Sequence, residues 1–237
     1  MFYSFDSNNL GNIPNQMSNL KRWILWKAID DSYANFLYEE SLRAFCDFTF
    51  PLKKRIVEGR IGTKKPISPI TKKVFRRSLD ECCHLDEIHK IYETIGDKTS
   101  WGIGFSSHGN EDILVLDFDR CLDKNRKIIS KNLENFIYKL DNYTEISPSY
   151  IGLRVFLYFK TIKKINRSFS IESKIGKDIC EKYSCKGIEL WNKDKFATVT
   201  GNLYDKNLNK IKNNNLIIDE FILDSEKLTR KKIHVRD

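Results

Sequence analysis

An α+β fold, a mostly antiparallel sheet flanked by helices, is predicted by three features of this sequence. Short segments rich in aromatic and β-branched residues recur along the chain. Several of them are joined by brief polar turns, as in hairpins. Only two segments carry a clear helical periodicity.

Taken in order, Arg22-Trp-Ile-Leu-Trp-Lys27 reads as the first strand. Residues 30–62 are irregular and contain the basic run Lys53-Lys54-Arg55; they read as an insertion or lid. Lys64-Lys65-Pro66-Ile67-Ser68-Pro69 reads as a loop, because each proline biases the residue before it away from helix. Ser78-Leu-Asp-Glu81 has the form of a capping box opening a helix. Leu79, Cys82, Leu85, Ile88 and Ile91/Tyr92 then share one face, and Gly96 closes it. Trp101–Phe105 and Asp112–Asp119 read as two strands with a turn at Gly109-Asn110. Ser130 caps a second helix bearing Leu133, Phe136, Ile137 and Leu140. Strands follow at Tyr143–Ser147, Leu153–Phe159, Gly187–Trp191 and Phe196–Thr200. Beyond Asn202 the pattern thins, and Leu216–Leu223 reads as a last strand or helix. No repeat or linker interrupts the chain, so one continuous domain is expected over residues 1–202, with a C-terminal extension over 203–237.

Composition narrows the function. The 237 residues include 41 Lys+Arg against 32 Asp+Glu, a formal net charge of +9, which suits a polyanionic partner such as nucleic acid or nucleotide phosphates. A hydrophobic share of 41% supports a core. The longest apolar runs, Ile113–Leu116 and Val155–Phe159, fall far short of the ~20 residues that cross a bilayer, and no secretory signal opens the sequence. No membrane association and a cytoplasmic location are expected. The six cysteines are then expected as reduced thiols. Zinc is disfavoured, because Cys180-x4-Cys185 and Cys82-Cys83-His84 lack the C-x2-C spacing of zinc sites.

Leu114-Val-Leu-Asp117-Phe-Asp119 carries the most chemistry. Side chains alternate on a strand, so Asp117 and Asp119 share a face while Leu116 and Phe118 take the other. Two like charges so placed suit a hard divalent cation such as Mg2+ or Mn2+ between them; the bland alternative is a strand end running into a polar turn. Glu189 is the odd residue in the apolar strand Gly187-Ile-Glu-Leu-Trp191, and it supplies a third carboxylate if the two strands are neighbours. Three acidic ligands suit a two-metal site for phosphoryl or nucleotidyl transfer.

Between these strands, the turn Ser147-Pro-Ser149-Tyr-Ile-Gly152 brings hydroxyls and Arg154 to one rim, and Arg can bind phosphate oxygens bidentately. Lys193, Lys195, Thr198 and Thr200 add cations and hydroxyls beyond Glu189. That set suits a nucleoside triphosphate with its metal. Other chemistries lack their motifs. Gly59-Arg-Ile-Gly62 is not a P-loop, there is no G-x-S-x-G or H-E-x-x-H, and the four histidines form no H-x-H.

The ordered set Trp23-Ile-Leu-Trp26-Lys27, Lys65-Pro66, Trp101-Gly-Ile-Gly-Phe105, Asp117/Asp119, Thr144–Arg154, Gly187–Trp191 and Phe196–Asn202 resembles the archaeo-eukaryotic primase superfamily. In particular it resembles the primase-polymerase domains of plasmid, phage and mobile-element replication proteins. The resemblance implies an RRM-like catalytic core. It implies that Asp117, Asp119 and Glu189 hold Mg2+ or Mn2+ and carry catalysis. It also implies that Ser147, Ser149, Gly152, Arg154, Lys193, Lys195, Thr198 and Thr200 surround a dNTP or NTP. Single-stranded DNA template is the expected macromolecular partner, with Lys53, Lys54, Arg55, Lys72 and Lys73 as its contacts, and a helicase would be supplied in trans or by a further segment. One departure stands out: Arg154 occupies the position where the family typically has histidine, and Arg is always charged. That departure keeps open a competing reading, a primase-like DNA-binding module with weak or no catalysis. A metal-dependent nuclease is a third class that uses clustered carboxylates.

Overall fold

A computed structural model describes residues 5–29, 63–76, 78–96, 98, 101–108, 112–160, 165–173 and 176–229. The lid or insertion expected at 30–62 lies outside the described residues, as do Lys53, Lys54 and Arg55. The chain divides into two compact units, residues 1–109 with 196–201, and residues 110–195 with 202–237.

The first unit is built on a four-stranded antiparallel sheet, in the order β2 (Thr63–Ile67), β1 (Trp23–Ile29), β3 (Trp101–Ser106), β9 (Phe196–Val199). Its core gathers Trp23, Ile24, Trp101, Ile103 and Phe105, all essentially inaccessible to solvent. Trp26 and Gly102 are direct cross-strand partners. A Cβ at residue 102 would sit 2.5 Å from the Trp26 indole, so only glycine lets that ring lie flat over the neighbouring strand. The indole N–H donates to the Ile103 carbonyl at 3.0 Å, which removes the cost of burying it.

Two expectations fail in this unit. The Lys64–Pro69 segment is not wholly a loop, because Thr63–Ile67 forms β2 with Pro66 opposite Trp26. Proline is tolerated there because, among the described residues, β2 is an edge strand, where a ladder N–H can be dispensed with. Nor does Ser78 open the helix. It precedes a short 3-10 turn at Leu79–Glu81 and makes no side-chain cap hydrogen bond. Cys83 then bridges Trp23 in antiparallel fashion, and that backbone pairing breaks any helix through Cys82-Cys83. The helix proper runs over Leu85–Glu93, with the Glu87 carboxylate accepting from the His84 N–H at 2.9 Å. Leu85, Ile88 and Tyr92 are its buried face.

The second unit holds a five-stranded antiparallel sheet in the order β5 (Tyr143–Ile146), β6 (Leu153–Tyr158), β4 (Ile113–Asp119), β8 (Gly187–Trp191), β7 (Asn166–Ser170). β3 and β4 are therefore not a hairpin: they belong to different sheets, and Gly109-Asn110 lies outside the described residues. Leu114, Leu116 and Phe118 of β4, Leu153, Val155 and Leu157 of β6, and Ile188 and Leu190 of β8 form one apolar sheet face.

That face packs against helices at Lys131–Leu140, Lys177–Tyr183 and Asn215–Thr229. Ser130 caps the first of these as its sequence predicts, accepting from the Leu133 N–H, and Asp141 ends it in a left-handed conformation. Phe136, Tyr183 and Phe221, one from each helix, stack with ring centroids 5.1–5.9 Å apart. Of the thinly patterned stretch after Asn202, Leu216–Leu223 lies within the last helix, whose Ile218 and Phe221 are buried in this core. Among the described residues, no helix is long and apolar enough to cross a membrane.

Candidate functional site

The opposite face of the five-stranded sheet carries the polar residues. Asp117 on β4 stands directly opposite Arg154 on β6 and Glu189 on β8. Arg154 in turn stands opposite Glu145 on β5, and Glu189 opposite Ser168 on β7. A single row therefore crosses the whole sheet, Glu145–Arg154–Asp117–Glu189–Ser168, with strands about 4.8 Å apart. Asp119, two residues along β4 from Asp117, falls on the same face opposite Gly187. A Cβ on Gly187 would meet its Oδ2 at 3.4 Å, so this carboxylate leans over the glycine.

The row is arranged by charge. Arg154 Nη2 donates to Asp117 Oδ2 at 2.7 Å, and the two side chains are 5% and 16% exposed. Burial disfavours the Arg154 charge, but Asp117, with Glu145 and Asp119 behind it, outweighs burial and raises the guanidinium pKa further. Glu145 is fully buried, and its Oε2 accepts from the Tyr143 hydroxyl at 2.9 Å. Burial first, and then Glu145, push the Tyr143 phenol well above its ordinary range, so it remains a donor. On the other side Lys195 Nζ lies 3.0 Å from Glu189 Oε2 and 5.0 Å above the Trp191 ring.

The Ser147–Gly152 turn closes next to this row. Ser147 N–H donates to the Gly152 carbonyl, and the Ser147 and Ser149 hydroxyls are 3.0 Å apart. A Cβ on Gly152 would fall 2.7 Å from the Phe118 carbonyl oxygen and 3.0 Å from Ser147 Oγ, so glycine is what brings the turn against β4. Tyr150 holds a left-handed conformation in this turn, and its ring stacks on the Arg126 guanidinium at 4.2 Å.

The structure thus brings Asp117, Asp119, Glu189, Arg154 and Lys195 onto one face, with Ser147, Ser149 and Gly152 beside β4. Lys193 is half-buried in the turn after β8. Thr198 and Thr200 are buried in the first unit; Thr198 pairs with Gly104 across the β3–β9 ladder. Lys72 and Lys73 form the tip of a tight first-unit turn, closed by Ser68 N–H to Lys73 carbonyl and Lys72 N–H to Ser68 carbonyl. Glu145 is absent from the residues the sequence singles out, although a charged residue between Thr144 and Ile146 in a strand is a signal of the same kind as Glu189.

Three carboxylates on one face provide hard oxygen donors that fit Mg2+ or Mn2+. Among the described residues, however, no group of three or more His, Cys, Asp or Glu side chains is drawn together as a ready-made cage. Arg154 and Lys195 occupy positions beside Asp117 and Glu189. Cys82, Cys83, Cys121, Cys180 and Cys185 are buried, unbridged thiols.

Fold and site together define an α+β protein with a charged carboxylate row across an antiparallel sheet. No family model matches the sequence. A DNA primase-polymerase of Nitratiruptor phage NrS-1 is 26% identical over 104 residues, which cover 44% of this chain and 13% of the phage protein. The chain therefore matches only about an eighth of that relative's length.

Proposed function

We propose that this chain is a primase-polymerase domain, a DNA-directed nucleotidyltransferase that joins dNTPs or NTPs on a single-stranded DNA template. The observation that carries the reading is the register placing Asp117 between Arg154 and Glu189, with Asp119 on the same face. The likeness to a phage DNA primase-polymerase supports it, and replication of a plasmid, phage or other mobile element is the corresponding setting.

Asp117, Asp119 and Glu189 would hold Mg2+ or Mn2+, and a metal bound there would supply Lewis-acid stabilisation of a transferring nucleotidyl group. The chain's own residues do the rest. Ser147 and Ser149 offer hydroxyl donors to phosphate oxygens. Lys195, beside Glu189, and Lys193, in the turn after β8, would balance the charge that develops on a departing pyrophosphate. Arg154 fixes the direction of Asp117 through its 2.7 Å hydrogen bond. Lys72 and Lys73, on an exposed turn, suit a template backbone by charge. A helicase from another chain or segment would complete a replication protein.

A second reading, a DNA-binding module without catalysis, is favoured by one observation: the Arg154–Asp117 pair already neutralises a carboxylate that nucleotidyl transfer needs. One assay separates the readings. A primed single-stranded template is incubated with Mg2+ or Mn2+ and labelled dNTP or NTP. Lengthened primers are expected; shortened ones indicate a nuclease, and unchanged primers on bound template indicate the binding module.

A further inference from the structure

Arg154 does not stand alone opposite Asp117. On its other side, one strand away, lies Glu145, fully buried on β5 and itself gripped by the Tyr143 hydroxyl. A buried carboxylate in such a row is costly unless a cation shares its field. The only guanidinium in the cross-strand row is Arg154: it hydrogen-bonds Asp117 on one side and feels the charge of Glu145 from the neighbouring strand on the other. If Glu145 carried no charge, Arg154 would give its whole charge to Asp117 and compete with any other cation there.

We infer that Glu145 is a positioning residue for the carboxylate face: held by Tyr143, it draws Arg154 partly off Asp117 and so sets the affinity of that face for a divalent cation. This rests on the metal-binding reading proposed above and deepens it. Glu145 touches no substrate; it acts through Arg154.

Glu145 lies two strands from Asp117, so about 10 Å away, and loss of one negative charge at that distance weakens a divalent ion about fourfold in a water-like dielectric. Transfer of Arg154 wholly to Asp117 adds to that loss. Removing the Arg154 charge, one strand away at about 5 Å, has the opposite sign and a larger size, more than tenfold. A residue that merely supports the fold predicts something else, since each added substitution in the row would then weaken binding further.

The test is Mn2+ titration of the whole chain, followed by calorimetry or by the electron paramagnetic resonance of free Mn2+, without nucleotide or DNA. The variants are Glu145→Gln, which preserves shape and the Tyr143 contact, and the Glu145→Gln/Arg154→Gln pair, which leaves no unbalanced buried charge. Circular dichroism monitors folding of each. The expected result is Mn2+ binding weakened at least fourfold by E145Q and restored to wild-type strength or tighter in the pair. Unchanged or tighter binding by E145Q overturns the inference, as does a pair as weak as E145Q. A wild-type chain that takes up no Mn2+ overturns the metal reading itself along with this one.

Discussion

The Arg154–Asp117 ion pair makes a quantitative claim about stability in the absence of metal. Asp117→Asn keeps the side chain's size and removes its charge. The lost contact is a 2.7 Å charge-assisted hydrogen bond between groups 5% and 16% exposed. Such bonds are worth about 1.5–3 kcal/mol. Stranding a buried cation entirely would cost more, about 3–5 kcal/mol. Glu145 remains opposite Arg154 across the ladder, so the cation keeps one partner and the lower range applies. We expect a loss of about 2 kcal/mol, which for a chain of this length lowers Tm by about 4–8 °C. The assay is urea and thermal unfolding at pH 7 in EDTA, followed by circular dichroism. Asp119→Asn, on an exposed side chain of the same strand, serves as the comparison and should change stability by less than about 0.5 kcal/mol. A D117N chain as stable as wild type, or more stable, would show that the Arg154 contact adds nothing to stability. It would mean that repulsion among Asp117, Asp119 and Glu189 outweighs the Arg154 contact.

Three further outcomes are expected. Gly152→Ala should destabilise by about 1–3 kcal/mol, because its Cβ meets the Phe118 carbonyl oxygen at 2.7 Å; Gly187→Ala, whose nearest atoms are at 3.4 Å, should be tolerated. Urea midpoints compared with wild type decide both. Stability should fall at alkaline pH. Burial raises Tyr183 and Cys121 to about 12 and Cys82 to about 11. The folded state therefore holds protons that the unfolded state releases from about pH 8.5 for thiols and about pH 10 for the phenol. The stabilisation is complete below those values and is lost as pH rises toward the folded ones; a urea midpoint that stays flat or rises between pH 8 and 11 would contradict this. The same burial predicts that Cys82 and Cys121 stay unmodified by a thiol reagent at pH 8 until the chain is denatured, as read by mass spectrometry of the peptides.

Local signals in the sequence were legible where the chain's own pattern decides the structure. Ser130, with Leu133, Ile137 and Leu140 behind it, specifies a capped amphipathic helix without outside help. The alternation through Leu114–Asp119 places the two aspartates on one face, and β8 spans Gly187–Trp191 as read. What failed depended on distant partners. Cys83 is drawn out of a helix by pairing with Trp23, sixty residues away in sequence. Pro66 sits in a strand because that strand is at an edge, a fact no local window contains. β3 and β4 looked like a hairpin because they are adjacent in sequence, but each finds its partners elsewhere. β7, Asn-Arg-Ser-Phe-Ser, was invisible because only Phe169 is apolar and the edge position needs no more. For the site, the residue types were readable but the register was not. Nothing local says that Glu145, Arg154, Asp117 and Glu189 share one row, and so Glu145 was missed.

Whether the Asp117 face performs nucleotidyl transfer is decided by primer extension with Asp117→Ala/Asp119→Ala beside wild type. Labelled dNTP, Mn2+ or Mg2+ and a primed single-stranded template are supplied, with DNA binding measured in parallel by fluorescence anisotropy. Extension by wild type, none by the double variant, and template binding by both are expected. Undiminished extension by the double variant would contradict transfer at that face.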